Sequence, residues 1–161
     1  MVAYWIVFSY FVLFAFLERP KEFNYAINSK NIFTFKWILL LIFLSLFIGL
    51  RHEVGGDWGS YLLFLEEIKS TQFSDIFKLS NDVGYTLINW ISVKSGFDIY
   101  AVNLFCGIIF SYGLCYFCLH TKRPFLALLV AFPYLIVVVS MGYTRQSVAI
   151  GLGMISIIMI Y

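Results

Sequence analysis

Five apolar stretches separated by short polar ones organise this chain. A membrane-crossing helix needs roughly 17–25 largely apolar residues. Residues 1–17 form the first stretch. They carry neither a basic leading region nor a small-residue cleavage site, which predicts a retained helix rather than a signal peptide. Residues 33–50 form the second, interrupted near its start by Lys36, whose long side chain can reach out to the interface. Residues 99–119 and 125–141 form the third and fourth, and Pro133 predicts a kink within the fourth. The fifth, 146–161, is still apolar at Tyr161, so the expectation is that the chain is the front part of a longer protein; the alternative is a helix ending flush with the membrane surface.

Residues 51–98 break the pattern. "SYLLFLEEIK" is short and amphipathic, and "VGYTLINWISVKSGF" carries Leu87, Ile88, Trp90 and Ile91 in a run too short to span. Such segments lie in the interface or dip in as re-entrant elements. No internal repeat, low-complexity stretch or soluble domain interrupts the order. The expected fold is all-α: a single polytopic integral membrane domain with about five transmembrane helices and an outward-facing amphipathic or re-entrant segment.

Composition strengthens this reading. Only 12% of the residues are charged and 61% are hydrophobic, with a mean hydropathy of +0.88; a soluble domain carries about 25% charged residues. The net charge of +2 gives no reason to expect nucleic acid as a partner. Lysine and arginine set the orientation. Arg19, Lys21 and Lys30 follow the first stretch, and Lys122 and Arg123 join the third to the fourth, so both turns should be cytoplasmic. The 51–98 segment is acidic on balance and should face outward, with the N-terminus outside as well. This is the topology of a multi-pass protein of the cytoplasmic (inner) membrane, and it brings Arg51 and Arg145 to one face.

The candidate chemistry lies on that face. In "GLRHEVGGDWGSY" an apolar run ends at Leu50 and is followed by Arg51, His52, Glu53 and Asp57 among Gly55, Gly56 and Gly59. Glycines ahead of a helix leave backbone N–H groups free for an anion, and Asp57 or Ser60 could cap a helix starting near Ser60. Arg51 offers a planar fork for phosphate; the plainer reading is a polar turn that stops the second span. "GYTRQSVAIG" places Arg145 and Gln146 at the mouth of an uncharged helix, either as a cation reserved for an anionic ligand or as an interface anchor. His52, Glu53 and Asp57 are the clustered candidates for proton transfer. Asp82 could contact substrate, although a turn role before Gly84 is the simpler one, and His120 reads as an ordinary surface histidine. Cys115-x-x-Cys118 shares one helix face with Cys106 nearby, and neither a second pair nor a histidine pair supports metal or redox chemistry; packing is the expected role. No metal site and no cofactor is expected.

Three short motifs in order give the chain a family likeness. Arg51, Val54, Gly55, Asp57, Trp58 and Tyr61, then Gly84 and Tyr85, then Arg145, Gln146 and Ala149 resemble the pattern of the EpsG-type exopolysaccharide polymerases, relatives of the Wzy-like O-antigen polymerases. Gly56 and Trp58 depart from that pattern, where threonine and tyrosine are common, and the chain is similar to an N-terminal half. The resemblance implies glycosyl transfer outside the membrane: a polyprenyl-diphosphate-linked oligosaccharide donates its chain to a hydroxyl of another lipid-linked repeat. It implies diphosphate or glycan binding by Arg51, Arg145, Gln146, Gly55, Gly56, Tyr61 and Tyr85. Asp57 would serve structure or proton transfer, with His52 and Glu53 behind it for the proton. The implied partners are the lipid-linked oligosaccharide, the bilayer, and other polysaccharide export or chain-length proteins. Two other readings stay open: a component of a lipid-linked oligosaccharide flippase, and a truncated fragment that inserts but catalyses nothing.

Overall fold

A computed structural model of the chain describes residues 2–20, 33–75 and 82–160. Met1, Lys21, Lys30, Lys78 and Tyr161 lie outside the described residues. The rest is helical, with no strand among the described residues. The α-helices are α1 (Val2–Leu17), α2 (Phe35–Gly49), α3 (Trp58–Lys69), α4 (Val83–Lys94), α5 (Ile99–Leu119), α6 (Pro124–Ala131) and α7 (Thr144–Ile160). Helix α6 runs on as a nine-residue π-helix, Phe132–Ser140. The expected disturbance at Pro133 takes this form: proline lacks the N–H that an α-helix needs and clashes with the preceding turn, and a π segment absorbs the misfit.

The apolar stretches and the helices agree to within a few residues, and the third agrees at both ends. By length, however, among the described residues only Ile99–Leu119 is by itself long and apolar enough to cross a membrane; Val2–Leu17, Phe35–Gly49, Pro124–Ser140 and Thr144–Ile160 are apolar but shorter. At 1.5 Å per residue a helix of 15 residues, such as α2, reaches about 22 Å against a hydrocarbon core of about 30 Å.

Helix α5 is the spine, with α2 on one side and α7 on the other. Both crossings are made by missing side chains. A Cβ at Gly107 would meet the Ser45 carbonyl oxygen at 3.3 Å and the Gly49 nitrogen at 3.4 Å, and one at Gly49 would meet the Cα of Leu104 at 2.5 Å. A Cβ at Gly113 would overlap the backbone of Gly151. Between helices in a membrane there is little hydrophobic gain, so close backbone approach supplies the packing. Cys106, Cys115 and Cys118 are buried and free along the same helix, in the packing role. Helix α1 closes the bundle against α6, with the Phe11 and Phe132 rings 5.6 Å apart.

Local signals fix the ends. Glu18, just past α1, accepts a hydrogen bond from the Phe125 backbone N–H at 2.9 Å, so a carboxylate sits at the N-terminus of α6, where Pro124 occupies a first-turn position that needs no donor. Asp82 caps α4 by accepting from the Tyr85 N–H at 3.2 Å; that is the turn role expected of it. At the other end of α4, Gly96 at φ 76° allows the Phe97 and Gly96 N–H groups to bond back to Ser92 and Val93, and the chain turns directly into α5. Helices α3 and α4 pair with each other and lean on the start of α5, at the end of the bundle away from the Glu18 turn.

If the α5–α7 crossing is set by absent side chains, Gly113→Leu should destabilise the full chain by roughly 2 kcal/mol or more, whereas Gly153→Ala, which has open space around it, should change little. Thermal unfolding in detergent separates the two; equal midpoints would contradict the packing scheme.

Candidate functional site

Arg51 is the first polar residue after α2 and is only 6% exposed. Its Nη1 donates to the carbonyl oxygen of Ser140 at 2.6 Å. Its Nη2 donates to Thr144 Oγ1 at 2.5 Å and to Asn103 Oδ1 at 3.3 Å, and the Thr144 hydroxyl donates to the same Asn103 oxygen at 3.3 Å. Ser140 ends the π-helix, so its carbonyl belongs to the unpaired, partly negative end of a helix, a favourable place for a cation. All these acceptors are neutral, and burial pulls the Arg51 pKa below its ordinary value. The guanidinium expected to bind diphosphate is therefore occupied from within. It ties the end of α2 to α5 and to the corner between the π-helix and α7.

Gly55 completes that tie. At φ 101° a Cβ there would meet the Gly142 Cα and the Met141 carbonyl oxygen at 2.8 Å each. The backbone freedom of Gly55 thus lays the loop against the α6–α7 corner, where the sequence pointed to an anion cradle. Around Gly56 there is open space. Helix α3 starts at Trp58, earlier than expected, and Asp57 stands at its N-cap position, yet the Asp57 side chain makes no capping hydrogen bond.

Arg145 has the opposite surroundings. It is exposed in the first turn of α7, beside exposed Gln146. Its guanidinium carbon lies 5.0 Å from the Tyr85 ring centre and 5.9 Å from those of Tyr61 and Phe64. Tyr61 and Phe64 come from α3 and pack on Tyr85 of α4, with centroids 5.8 and 5.9 Å apart. Tyr61 and Tyr85 are buried, 4% and 5% exposed, and burial raises the Tyr85 pKa above its ordinary value. The first turn of α7 holds no acidic residue, and among the described residues no carboxylate pairs with Arg145. A cation at the positive end of a helix is disfavoured by roughly 0.3–1 kcal/mol; the three rings offset this by facing their negative π surfaces to it.

A third group surrounds His52. Its Nδ1 shares a 2.7 Å hydrogen bond with the Tyr100 hydroxyl, and its Nε2 is 3.9 Å from Glu53 Oε1. The His52 ring lies 5.9 Å from Trp58 and 6.2 Å from Tyr100, and Trp58 and Tyr100 are 6.2 Å apart. Glu53 adopts φ 51°, a left-handed conformation uncommon for a residue with a side chain. Among the described residues no group of three histidine, cysteine, aspartate or glutamate side chains comes together.

The residues expected to bind substrate or move a proton thus fall at one end of the bundle, with three groupings among them: a buried tie (Arg51, Gly55), an exposed cation on rings (Arg145, Tyr61, Tyr85) and a histidine cluster (His52, Glu53). The reading missed Asn103, Ser140 and Thr144 around Arg51, and Phe64 and Tyr100 elsewhere. Asn103 was open to detection, since an asparagine in an apolar helix needs a polar partner. Phe64 lies three residues after Tyr61 and so shares its helix face. Tyr100, near the start of a span, reads as an interfacial aromatic, and nothing in its sequence position links it to His52.

Replacing Arg51 with lysine keeps the charge and loses the fork. The expected cost is about 3 kcal/mol, because buried acceptors are left unpaired; Thr144→Val should cost about 1 kcal/mol and Arg145→Gln nearly nothing. Thermal unfolding of the three variants in detergent tests this ranking, and an Arg51→Lys protein as stable as the parent would refute the tie.

The sequence model of the EpsG family matches residues 34–161, a stretch that takes in the buried arginine, the ring-bound arginine and the histidine cluster. No curated protein and no solved structure matches the chain. With a family match over most of its length, the chain belongs to the EpsG family.

Proposed function

We propose that this chain is a polysaccharide polymerase, a glycosyltransferase that joins polyprenyl-diphosphate-linked oligosaccharide repeats outside the cytoplasmic membrane. Membership of the EpsG family supports an exopolysaccharide role. In this reading the five apolar helices cross the bilayer, the shorter ones with help from local thinning and polar flanks. The N-terminus and the 51–98 segment face outward.

The observation that carries the reading is Arg145. Three rings lie 5.0–5.9 Å from its guanidinium carbon, and no hydrogen bond among the described residues engages its N–H donors, which leaves them to a ligand. The N-terminus of α7 adds partial positive charge at the same place. A cation placed against the helix dipole, with no carboxylate partner among the described residues, suits a site whose missing charge arrives with the substrate. The diphosphate of a lipid-linked sugar supplies it, and Gln146 adds an amide donor.

The chemistry is a displacement at the sugar C1. An acceptor hydroxyl oxygen bonds to C1, the C1–O bond to the diphosphate breaks, and its electron pair leaves on the phosphate oxygen. Arg145 stabilises the charge that grows there. The acceptor proton passes to a base, for which His52 is best placed: Glu53 stands near one ring nitrogen and the Tyr100 hydroxyl bonds the other. Asp57, with its carboxylate uncommitted to the cap, is the second candidate. Neither a nucleotide sugar nor a cofactor enters this scheme. Arg51 and Gly55 position the site, and Gly56 leaves it open. Other export or chain-length proteins would take up the product.

Arg145→Gln should lower polymer made in cells by about 10²-fold or more while the protein stays in the membrane, with unpolymerised lipid-linked repeats accumulating outside. Arg145→Lys should not restore activity, because an ammonium cannot stack as a plane. Normal polymer from Arg145→Gln would sink the proposal, and repeats trapped on the cytoplasmic side would favour transport over polymerisation. Orientation is testable separately: a single cysteine at Gln146 should react with an impermeant thiol reagent from outside, and one at Lys122 should not.

A further inference from the structure

The histidine cluster has the makings of a second subsite on the same helix. Trp58 opens α3, and Tyr61 follows three residues later. Positions three apart lie on one helix face with about 5–6 Å between their Cβ atoms. The ring floor under Arg145 and the Trp58–Tyr100–His52 group are therefore neighbours, one turn apart, and α3 contributes to both. Their chemistry differs in sign. The first offers a cation. The second offers the rings of half-buried Trp58 and exposed Tyr100, an exposed imidazole and an exposed carboxylate; the His52 and Glu53 side chains are 68% and 74% exposed, and Tyr100 is 37% exposed.

We infer that Trp58 and Tyr100, edged by His52 and Glu53, bind the sugar ring attached directly to the diphosphate held by Arg145. The assignment rests on the diphosphate reading of Arg145 and names what lies next to it. Glu53 repels phosphate, so the group is not a second anion site, but its oxygens accept hydrogen bonds from hydroxyls. Aromatic faces carry partial negative charge and receive the weakly positive C–H face of a pyranose, while polar groups at the rim take its equatorial hydroxyls. Trp58 packs against the cluster that holds Tyr61 and Tyr85, and a sugar joined through C1 to phosphate is the immediate neighbour of that phosphate. The bond to be broken then lies between the two subsites, and His52 stands on the sugar side of it. Glu53, held at positive φ, turns the backbone so that His52 and Glu53 flank the rings.

The test measures binding to the full chain in nanodiscs. The probes are polyprenyl diphosphate alone and the same lipid carrying one hexose, one N-acetylhexosamine or one 6-deoxyhexose. At least one sugar-bearing probe should bind about tenfold more tightly than the bare lipid. Trp58→Ala and Tyr100→Ala should each remove most of that gain and leave bare-lipid affinity unchanged, and Trp58→Phe should recover part of it. Arg145→Gln should weaken all probes alike. No gain for any sugar, or a Trp58→Ala loss shared equally by bare and sugar-bearing lipid, overturns the subsite. If Arg145→Gln leaves bare-lipid affinity intact while Trp58→Ala still removes the sugar gain, the diphosphate reading fails and the sugar subsite stands.

Discussion

The hydrogen bonds of Arg51 set the frame on which the other groups depend. An arginine buried among neutral acceptors is costly to place, and the fold meets that cost with a helix-end carbonyl, a hydroxyl and an amide drawn from three separate elements. Because the acceptors come from α5, the π-helix and the start of α7, satisfying one side chain brings all three to the end of α2. The loop that follows inherits its position from this arrangement, and with it His52, Glu53 and the start of α3. A chain with so few charges uses one of them as a structural joint.

Helix α5 makes this joint possible by letting its neighbours come close. Glycines on two sides of it admit the backbones of α2 and α7, which fixes where Arg51 and Arg145 emerge relative to each other. Helices α3 and α4 then need only a modest core of Tyr61, Leu65 and Tyr85, resting on Ile99, Val102 and Cys106 of α5, to hold the ring surface under Arg145. The division of labour between the two arginines follows: one has both Nη atoms bonded within the protein, with its Nε buried and unpartnered among the described residues, and the other is exposed on an aromatic seat.

Much of this was legible in the sequence, because apolar length and breaks are local properties. The stretch 99–119 matches α5 at both ends, and the two runs in 51–98 that were too short to span form the short helices α3 and α4. That Arg51 and Arg145 would share one end followed from threading alternate loops to opposite sides. What did not follow was which arginine would be free. Both stand at helix ends next to glycine-containing stretches, and the difference lies in Asn103, Ser140 and Thr144, more than 50 residues from Arg51 in the chain. The close approach of Gly55 to Gly142 is equally distant in the chain: its backbone freedom was legible, but not the neighbour that a Cβ there would meet. The Tyr100–His52 bond joins positions 48 apart and has no local signature.

The π-helix Phe132–Ser140 has a consequence for the register of everything after it. Each of its hydrogen-bonded turns encloses one residue more than an α-turn, so the backbone beyond Ser140 is offset from the course a plain α-helix would follow. One residue corresponds to about 100° around a helix axis. The widened segment therefore acts as a phase shifter: it aims the Ser140 carbonyl and, after the corner, the Thr144 hydroxyl at the same guanidinium. Losing a single residue there would leave composition and hydropathy almost untouched, yet it would rotate both acceptors off the arginine and detune the end of the bundle that carries Arg51 and Arg145.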